Sequence, residues 1–268
     1  MFSSSNANKP DTKTSVDIME TIVYKYLKTL GFRKYSRTLH RFVDGDISQV
    51  IHFQNGCPSK GILDILWINL GIRVPECAEK CFVVSQPQKK YYHEYECNIR
   101  TRLGSLVDKR DTWYDLNEDP GKIGEDILEK LKEYVLPVFE VLNSRESILR
   151  YRNDYASFDQ MNHHLLFLEE AMIYGRNGNM EKASELFNRY YNEAVNEYQN
   201  DLKNGSQIYL RKGERVTYLN GRTNQSETIL AEKSGYVTLY NANSAHLKYL
   251  EELADKLGIS LHTGSNSP

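Results

Sequence analysis

Five short segments between Gly31 and Leu116, GFRKYSRTLHRF, ISQVIHFQNG, WINLGIRV, ECNIRTRLG and TWYDL, set apolar residues at strand spacing among Arg, Gln, Asn and Trp. Successive side chains on a strand point to opposite faces. Such segments therefore predict a sheet with one face in the core and a polar, partly basic face opposite. From Arg33 to Phe42, alternation groups Tyr35, Arg37, Leu39 and Arg41 against Lys34, Thr38, His40 and Phe42, and the mixed character of both sets suits an edge strand. Asp44-Gly45 is a hairpin signal. After it, Ile47, Gln49, Ile51 and Phe53 oppose Ser48, Val50, His52 and Gln54. A third strand, Leu66 to Val74, sends Leu66, Ile68, Leu70 and Ile72 one way and Trp67, Asn69, Gly71 and Arg73 the other. A fourth would turn Tyr95, Cys97, Ile99 and Thr101 to the core and Glu94, Glu96, Asn98, Arg100 and Arg102 outward. The links are too short for crossover helices, which implies an antiparallel meander.

Helical periodicity brackets this sheet. Ile18, Ile22, Val23, Tyr26, Leu27 and Leu30 recur every three or four residues from Ser15 to Leu30, with Thr14, Ser15 or Asp17 as cap and Gly31 as stop. Ile123, Ile127, Leu128, Leu131, Val135 and Phe139 mark a second helix from Asp119 to Leu142, which Pro137 should kink or end. A short helix follows near Arg145 to Asp154. Asn162 to Asp201 reads as a helical pair broken at Gly175, Asn177, Gly178 and Asn179. Turns at Lys212-Gly213, Asn220-Gly221 and Ser234-Gly235 punctuate β-like runs over 206–240, and Leu247, Leu250, Ala254 and Leu257 mark a last helix stopped by Gly258. The expected fold class is α+β: an antiparallel sheet of about four to five strands with flanking helices, then a helical hairpin, a β-like insertion and a C-terminal helix. The expected organisation is a disordered N-terminus (1–14), an α+β domain (15–143), a mainly helical region (144–258) holding the insertion, and a flexible tail (259–268).

The motifs GFRKYSRTLHRF, QVIHFQ, NLGI, RTRLG and TWYDL, in this order, resemble the bacterial domain of unknown function 4304 over roughly Ser15 to Asn143. Where that family usually shows a Trp pair, this chain has Trp113-Tyr114. The resemblance implies a compact bacterial α+β domain and supplies no catalytic residues. Farther on, Ala171, Tyr174, Ala183, Phe187 and Tyr190 sit at the separations of a single tetratricopeptide-like unit. Val195 stands where that repeat often places Pro. A lone repeat buries its faces against no neighbour of its own kind, so a hairpin docked on the rest of the chain is expected.

A formal net charge of -2 argues against a dedicated duplex-DNA binder, because phosphate neutralisation usually demands a strongly basic domain. The apolar stretch around Ile62 to Ile72 carries Asp64 and Asn69 and is too short to span a bilayer. The polar N-terminus lacks a signal-peptide core, so the expected location is the cytoplasm, without membrane contact. Cys57, Cys77, Cys81 and Cys97 lack the CxxC pairing of zinc knuckles, and thiols in a reducing compartment account for them. No metal, cofactor or catalytic residue is assigned, since no GxSxG, HExxH, phosphate-cradling GxxxxGK[ST] or GxGxxG motif occurs. His163-His164 near Glu169 and Glu170 reads as a helix start with one solvated His.

The candidate binding face comprises Gln54, Trp67, Asn69, Arg73, Asn98, Arg100 and Arg102, bordered by Trp113 and Tyr114. Guanidinium forks beside amides and indoles suit a carboxylate, a phosphate or an acidic loop of a partner. The competing reading pairs Arg100 and Arg102 with Glu94, Glu96 or Asp115 on an ordinary solvated sheet, or puts the face under a covering helix. Three functions compete: a non-catalytic protein-interaction module of immunity or regulatory type, a nucleotide or single-stranded nucleic-acid binder, and a hydrolase or transferase with Glu94, Glu96 and Asp115 converging. The expected partner is another protein, with nucleic acid or an anionic ligand as alternatives; the sequence sets no oligomeric state.

Overall fold

The computed structural model describes residues 11–56, 64–82, 89–151, 165–240, 242 and 244–262. Helix α1 (Thr12–Leu27) begins ahead of the expected boundary because Asp11 is its cap, accepting a hydrogen bond from the Thr14 N–H at 2.8 Å. Val16, Met19, Glu20, Val23 and Leu27 form its buried face, while Ile18 and Tyr26 are exposed. One further turn, Lys28–Leu30, ends at Gly31 in the left-handed conformation, φ 85°.

The expected first strand is in fact a tight hairpin of β1 (Arg33–Tyr35) and β2 (Thr38–Val43). Tyr35 pairs with Thr38, and Ser36 takes φ 50° to make the turn. Across the Asp44–Gly45 turn lies β3 (Ile47–Asn55), followed by β4 (Ile65–Arg73). A short helix, α2 (Pro75–Glu79), then precedes β5 (Ile99–Arg102), α3 (Leu103–Val107) and the two-residue strand β6 (Tyr114–Asp115). Strands β1 to β5 pair antiparallel in chain order, and β5 and β6 share the far edge of β4.

Helix α4 (Pro120–Lys130) continues through a π-turn at Leu131–Val135 into α5 (Leu136–Val141). The wide turn precedes Pro137, which has no N–H and whose ring would crowd the turn before it. The core lies where α1, α4 and α5 cover the Leu39, Ile51, Phe53, Leu70 and Ile72 face, each such side chain contributing about 1.5–3 kcal/mol by burial. Helices α1 and α4 meet closely: a Cβ on Gly124 would stand 3.1 Å from the Met19 Cα. Helix α6 (Arg145–Tyr151) is tied back by Arg145, which pairs with Glu76 at 2.7 Å and Asp46 at 2.8 Å.

The chain divides into two compact units, residues 1–163 and 164–268. In the second, α7 (Leu165–Arg176) packs against α8 (Met180–Asn204), burying Ala171, Ala183, Phe187 and Tyr190. A β-ribbon follows, with β7 (Ser206–Leu210) paired to β10 (Gly235–Leu239), and β8 (Arg215–Asn220) to β9 (Gln225–Leu230). The ribbon doubles back, since the Gly221 N–H donates to the carbonyl of Tyr240, just beyond β10, at 2.6 Å. At this fold Arg222 lies 3.4 Å from the Tyr240 ring centroid and donates to the Leu202 and Lys203 carbonyls, capping α8. Helix α9 (Ala245–Leu257) buries Leu250, Leu253, Ala254 and Leu257 and ends at Gly258, φ 68°. Among the described residues, no helix is long and apolar enough to cross a membrane. Cys57, His163, His164, residues 152–154 and the last six residues lie outside the described set.

Candidate functional site

The sheet face opposite the core carries Tyr35, Thr38, His40, Phe42, Ser48, Val50, His52, Gln54, Trp67, Asn69, Gly71, Arg73, Arg100 and Arg102, as the strand register requires. It is not left open as an alternating pattern suggests. Residues 89–98 lie across it. The Tyr91 ring stacks on Tyr35 at 3.6 Å, Tyr92 meets Phe42 at 6.2 Å, and His93 meets His52 at 6.3 Å. The expected fourth strand is shortened accordingly. Only residues 99–102 pair with β4, whereas Glu94–Glu96 make a single 3-10 turn. That turn is held by a reciprocal bond: the His93 ring accepts the Glu96 N–H, and Glu96 accepts the His93 N–H at 2.9 Å. Cys97, expected in the core with Ile99 and Thr101, instead lies over Gly71 on the opposite side of the sheet. Burial raises its thiol pKa far above the ordinary value.

This cover divides the predicted binding residues. Arg73 is 6% exposed, its guanidinium 4.1 Å from the Tyr92 ring centroid and 2.7 Å from Glu79, so it serves as a strut between sheet and cover. The Asn98 side chain accepts the Val74 N–H at 2.7 Å and stays with the backbone. Trp113 belongs to a different small hollow of about 110 Å³, lined by Ile68, Leu103 and Lys130 among others. Trp67 lies under the Arg102 guanidinium at 4.9 Å, and its buried indole N–H has no hydrogen-bond partner among the described residues.

Gln54, Asn69, Arg100 and Arg102 do come together. With Glu94, Thr101, Ser105 and Asp111 they line a hollow of about 520 Å³ at the edge of the cover. Its floor is set by Asn69, 5% exposed, whose amide donates to the Gln54 oxygen at 2.7 Å. Arg102 pairs with Asp111, a residue absent from the expected set. Arg100 is exposed and makes no hydrogen bond or ion pair among the described residues. The anticipated pairing of these arginines with Glu94, Glu96 or Asp115 does not occur, since Glu96 binds Lys89 at 2.5 Å and Asp115 accepts the Asn117 N–H at 2.8 Å. Asp115 stands opposite Ile65, whereas the Glu94 carbonyl lies over Gly71. Those positions are six residues apart on β4, roughly 20 Å. Glu94, Glu96 and Asp115 thus form no shared carboxylate centre.

Three histidines line the junction of sheet and cover. Burial lowers the pKa of His40 and His52; nearby Arg33 adds to this for His40, and Glu94 opposes it for His52. Thr38 and His52 share a 2.9 Å hydrogen bond. Among the described residues, no group of three or more His, Cys, Asp and Glu side chains could hold a metal ion. Sequence reasoning missed Ser105 and Asp111, which follow β5 in no strand pattern. No curated protein and no solved structure matches the chain. Residues 23–141, which carry the whole sheet and α4, match the family model described as Domain of unknown function (DUF4304).

Proposed function

We propose that this chain is a non-catalytic, cytoplasmic bacterial binding protein of immunity or regulatory type, and that its first unit recognises a partner protein through an anionic group held at Arg100. The observation that carries this reading is an exposed guanidinium without a partner among the described residues, beside the buried Asn69 amide and the half-buried Gln54 amide, in a hollow of about 520 Å³. A guanidinium presents a planar fork of donors suited to a carboxylate, and this one has its donors unused among the described residues. The α7–α8 pair, spaced like one tetratricopeptide unit, would offer the same partner a second surface.

The test is recovery of a tagged chain from its native host at low salt, with and without nuclease, beside an Arg100→Gln variant. Because Arg100 is exposed and makes no hydrogen bond or ion pair among the described residues, the substitution should leave folding intact. A protein that co-purifies despite nuclease and drops at least tenfold with the variant supports the proposal; equal recovery rejects it. One observation favours a nucleotide instead: the Tyr95 ring, 64% exposed, stacks on His93 at 5.0 Å next to the hollow and would suit a base. Nuclease-sensitive recovery supports that reading.

A further inference from the structure

The hollow carries two charges of opposite sign, Arg100 and Glu94, that are not paired with each other. Arg102 and Asp111 form a pair on its wall. Arg100 and Glu94 line the same space, and neither makes an ion pair among the described residues. Both lie near Cys97 in the cover, and the Glu94 carboxylate is close enough to influence His52, which stands opposite Asn69 on the hollow's floor. An unpaired guanidinium and an unpaired carboxylate across one polar cavity are complementary to a ligand with the reverse arrangement. A purely anionic ligand would meet Glu94 as a like charge, and a purely cationic one would meet Arg100. The volume falls within the range that encloses a small molecule or a few residues of peptide.

We infer that this hollow takes a zwitterionic ligand of amino-acid or short-peptide kind, its carboxylate on Arg100 and its ammonium on Glu94. The Gln54 amide, which accepts from Asn69 through its oxygen, keeps its own N–H groups for the ligand's carboxylate or peptide carbonyl. The inference rests on the reading above that this hollow is the binding site, and it adds that Glu94 selects the ligand.

Calorimetric titration of the full chain with dialanine, acetyl-dialanine and dialanine amide tests it, since the three differ in which charges they carry. Dialanine should bind at least tenfold more tightly than either blocked form. Glu94→Gln should make dialanine and acetyl-dialanine equal, and Arg100→Gln should remove binding of both. Free alanine distinguishes a free amino acid from a peptide, and a preference for either zwitterion over its blocked forms supports the inference. Equal binding of dialanine and acetyl-dialanine to the unsubstituted chain overturns the inference and leaves an anion site. If none of the probes binds while Arg100→Gln still abolishes partner recovery, the inference falls and the proposed function stands. If partner recovery is also unaffected, both fall.

Discussion

Arg145 is the point at which the first unit should be easiest to break with one side chain. Its Nε and Nη2 donate to the two carboxylate oxygens of Glu76 at 2.7 and 2.8 Å, and Nη2 also reaches Asp46 at 2.8 Å. Its backbone N–H donates to Asp44 at 3.2 Å. Glu76 is fully buried, and the Arg145 side chain is 12% exposed. Burial disfavours the guanidinium's charge, yet the bonds to Glu76 and Asp46 more than reverse this and raise its pKa. Arg145→Met removes the guanidinium that these carboxylates share and leaves the buried Glu76 carboxylate beside two others. Breaking a buried pair from one side costs about 3–5 kcal/mol. At about 2–4 °C per kcal/mol for a unit of this size, Tm should fall by roughly 6–20 °C. Both tryptophans, Trp67 and Trp113, lie in this unit, so urea unfolding followed by tryptophan fluorescence reports on it alone. Glu76→Gln combined with Arg145→Met removes the stranded charge and should recover about 1 kcal/mol or more of the loss. A single variant that loses less than about 1 kcal/mol, or a double variant no better than the single, refutes the reasoning.

Two further predictions concern the cover on the sheet. A Cβ at Gly71 would stand 2.6 Å from the Cys97 sulfur and 2.8 Å from its Cβ, so Gly71→Ala must displace residues near 97 and should cost about 1–3 kcal/mol in urea unfolding. Cys97→Ala in that background should restore part of the loss, and an unchanged midpoint for Gly71→Ala would show that the cover does not sit where described. For pH, His40 and His52 have folded pKa values below their ordinary ones, so above about pH 6.5 both states are neutral and the stability is fully present. As pH falls from there toward the lower folded values, the unfolded chain takes up protons first, and stability drops by at most about 1.4 kcal/mol per pH unit per histidine. Replacing both histidines with Gln should flatten Tm between pH 7 and pH 5; an equally steep profile in that variant counts against the assignment.

Local rules made most of the elements legible. Strand alternation placed Leu66, Ile68, Leu70 and Ile72 on the core face correctly, because the pleat is a property of the backbone at each residue. Gly258 stops α9, and Asp44-Gly45 turns β2 into β3, with both residues at positive φ. The β1–β2 hairpin gives no signal because Ser36-Arg37 carries none of the Gly, Asn or Asp that favour positive φ in a two-residue hairpin turn, and Ser36 accepts φ 50° with the strands on either side paired. The cap of α1 is ambiguous in sequence because Asp11, Thr14, Ser15 and Asp17 are all polar residues able to accept a backbone N–H near the first apolar turn, and the structure selects Asp11. Arg145 gives no signal, since its partners come from α2 and from the turn before β3, about 70 and 100 residues earlier in the chain.

The fate of the polar face turns on a signal that the sequence did contain. A glycine inside a strand weakens it unless another backbone or side chain needs the space. Gly71 sits among Leu70, Ile72 and Arg73, and Cys97 occupies the room its missing side chain leaves. Read this way, Gly71 predicts a cover on the polar face, and Tyr91, Tyr92 and His93 are the large rings nearest to supply one. Two arginines that alternation makes equivalent then part company. Arg73 lies under the cover, stacked on Tyr92 and paired with Glu79, so its fork is already used within the fold. Arg100 lies just beyond the covered stretch and keeps its donors. Binding capacity on this sheet is therefore set by where residues 89–98 end, and moving the cover by one substitution at Gly71, beneath the Glu94 carbonyl, should alter the hollow without replacing any residue that lines it.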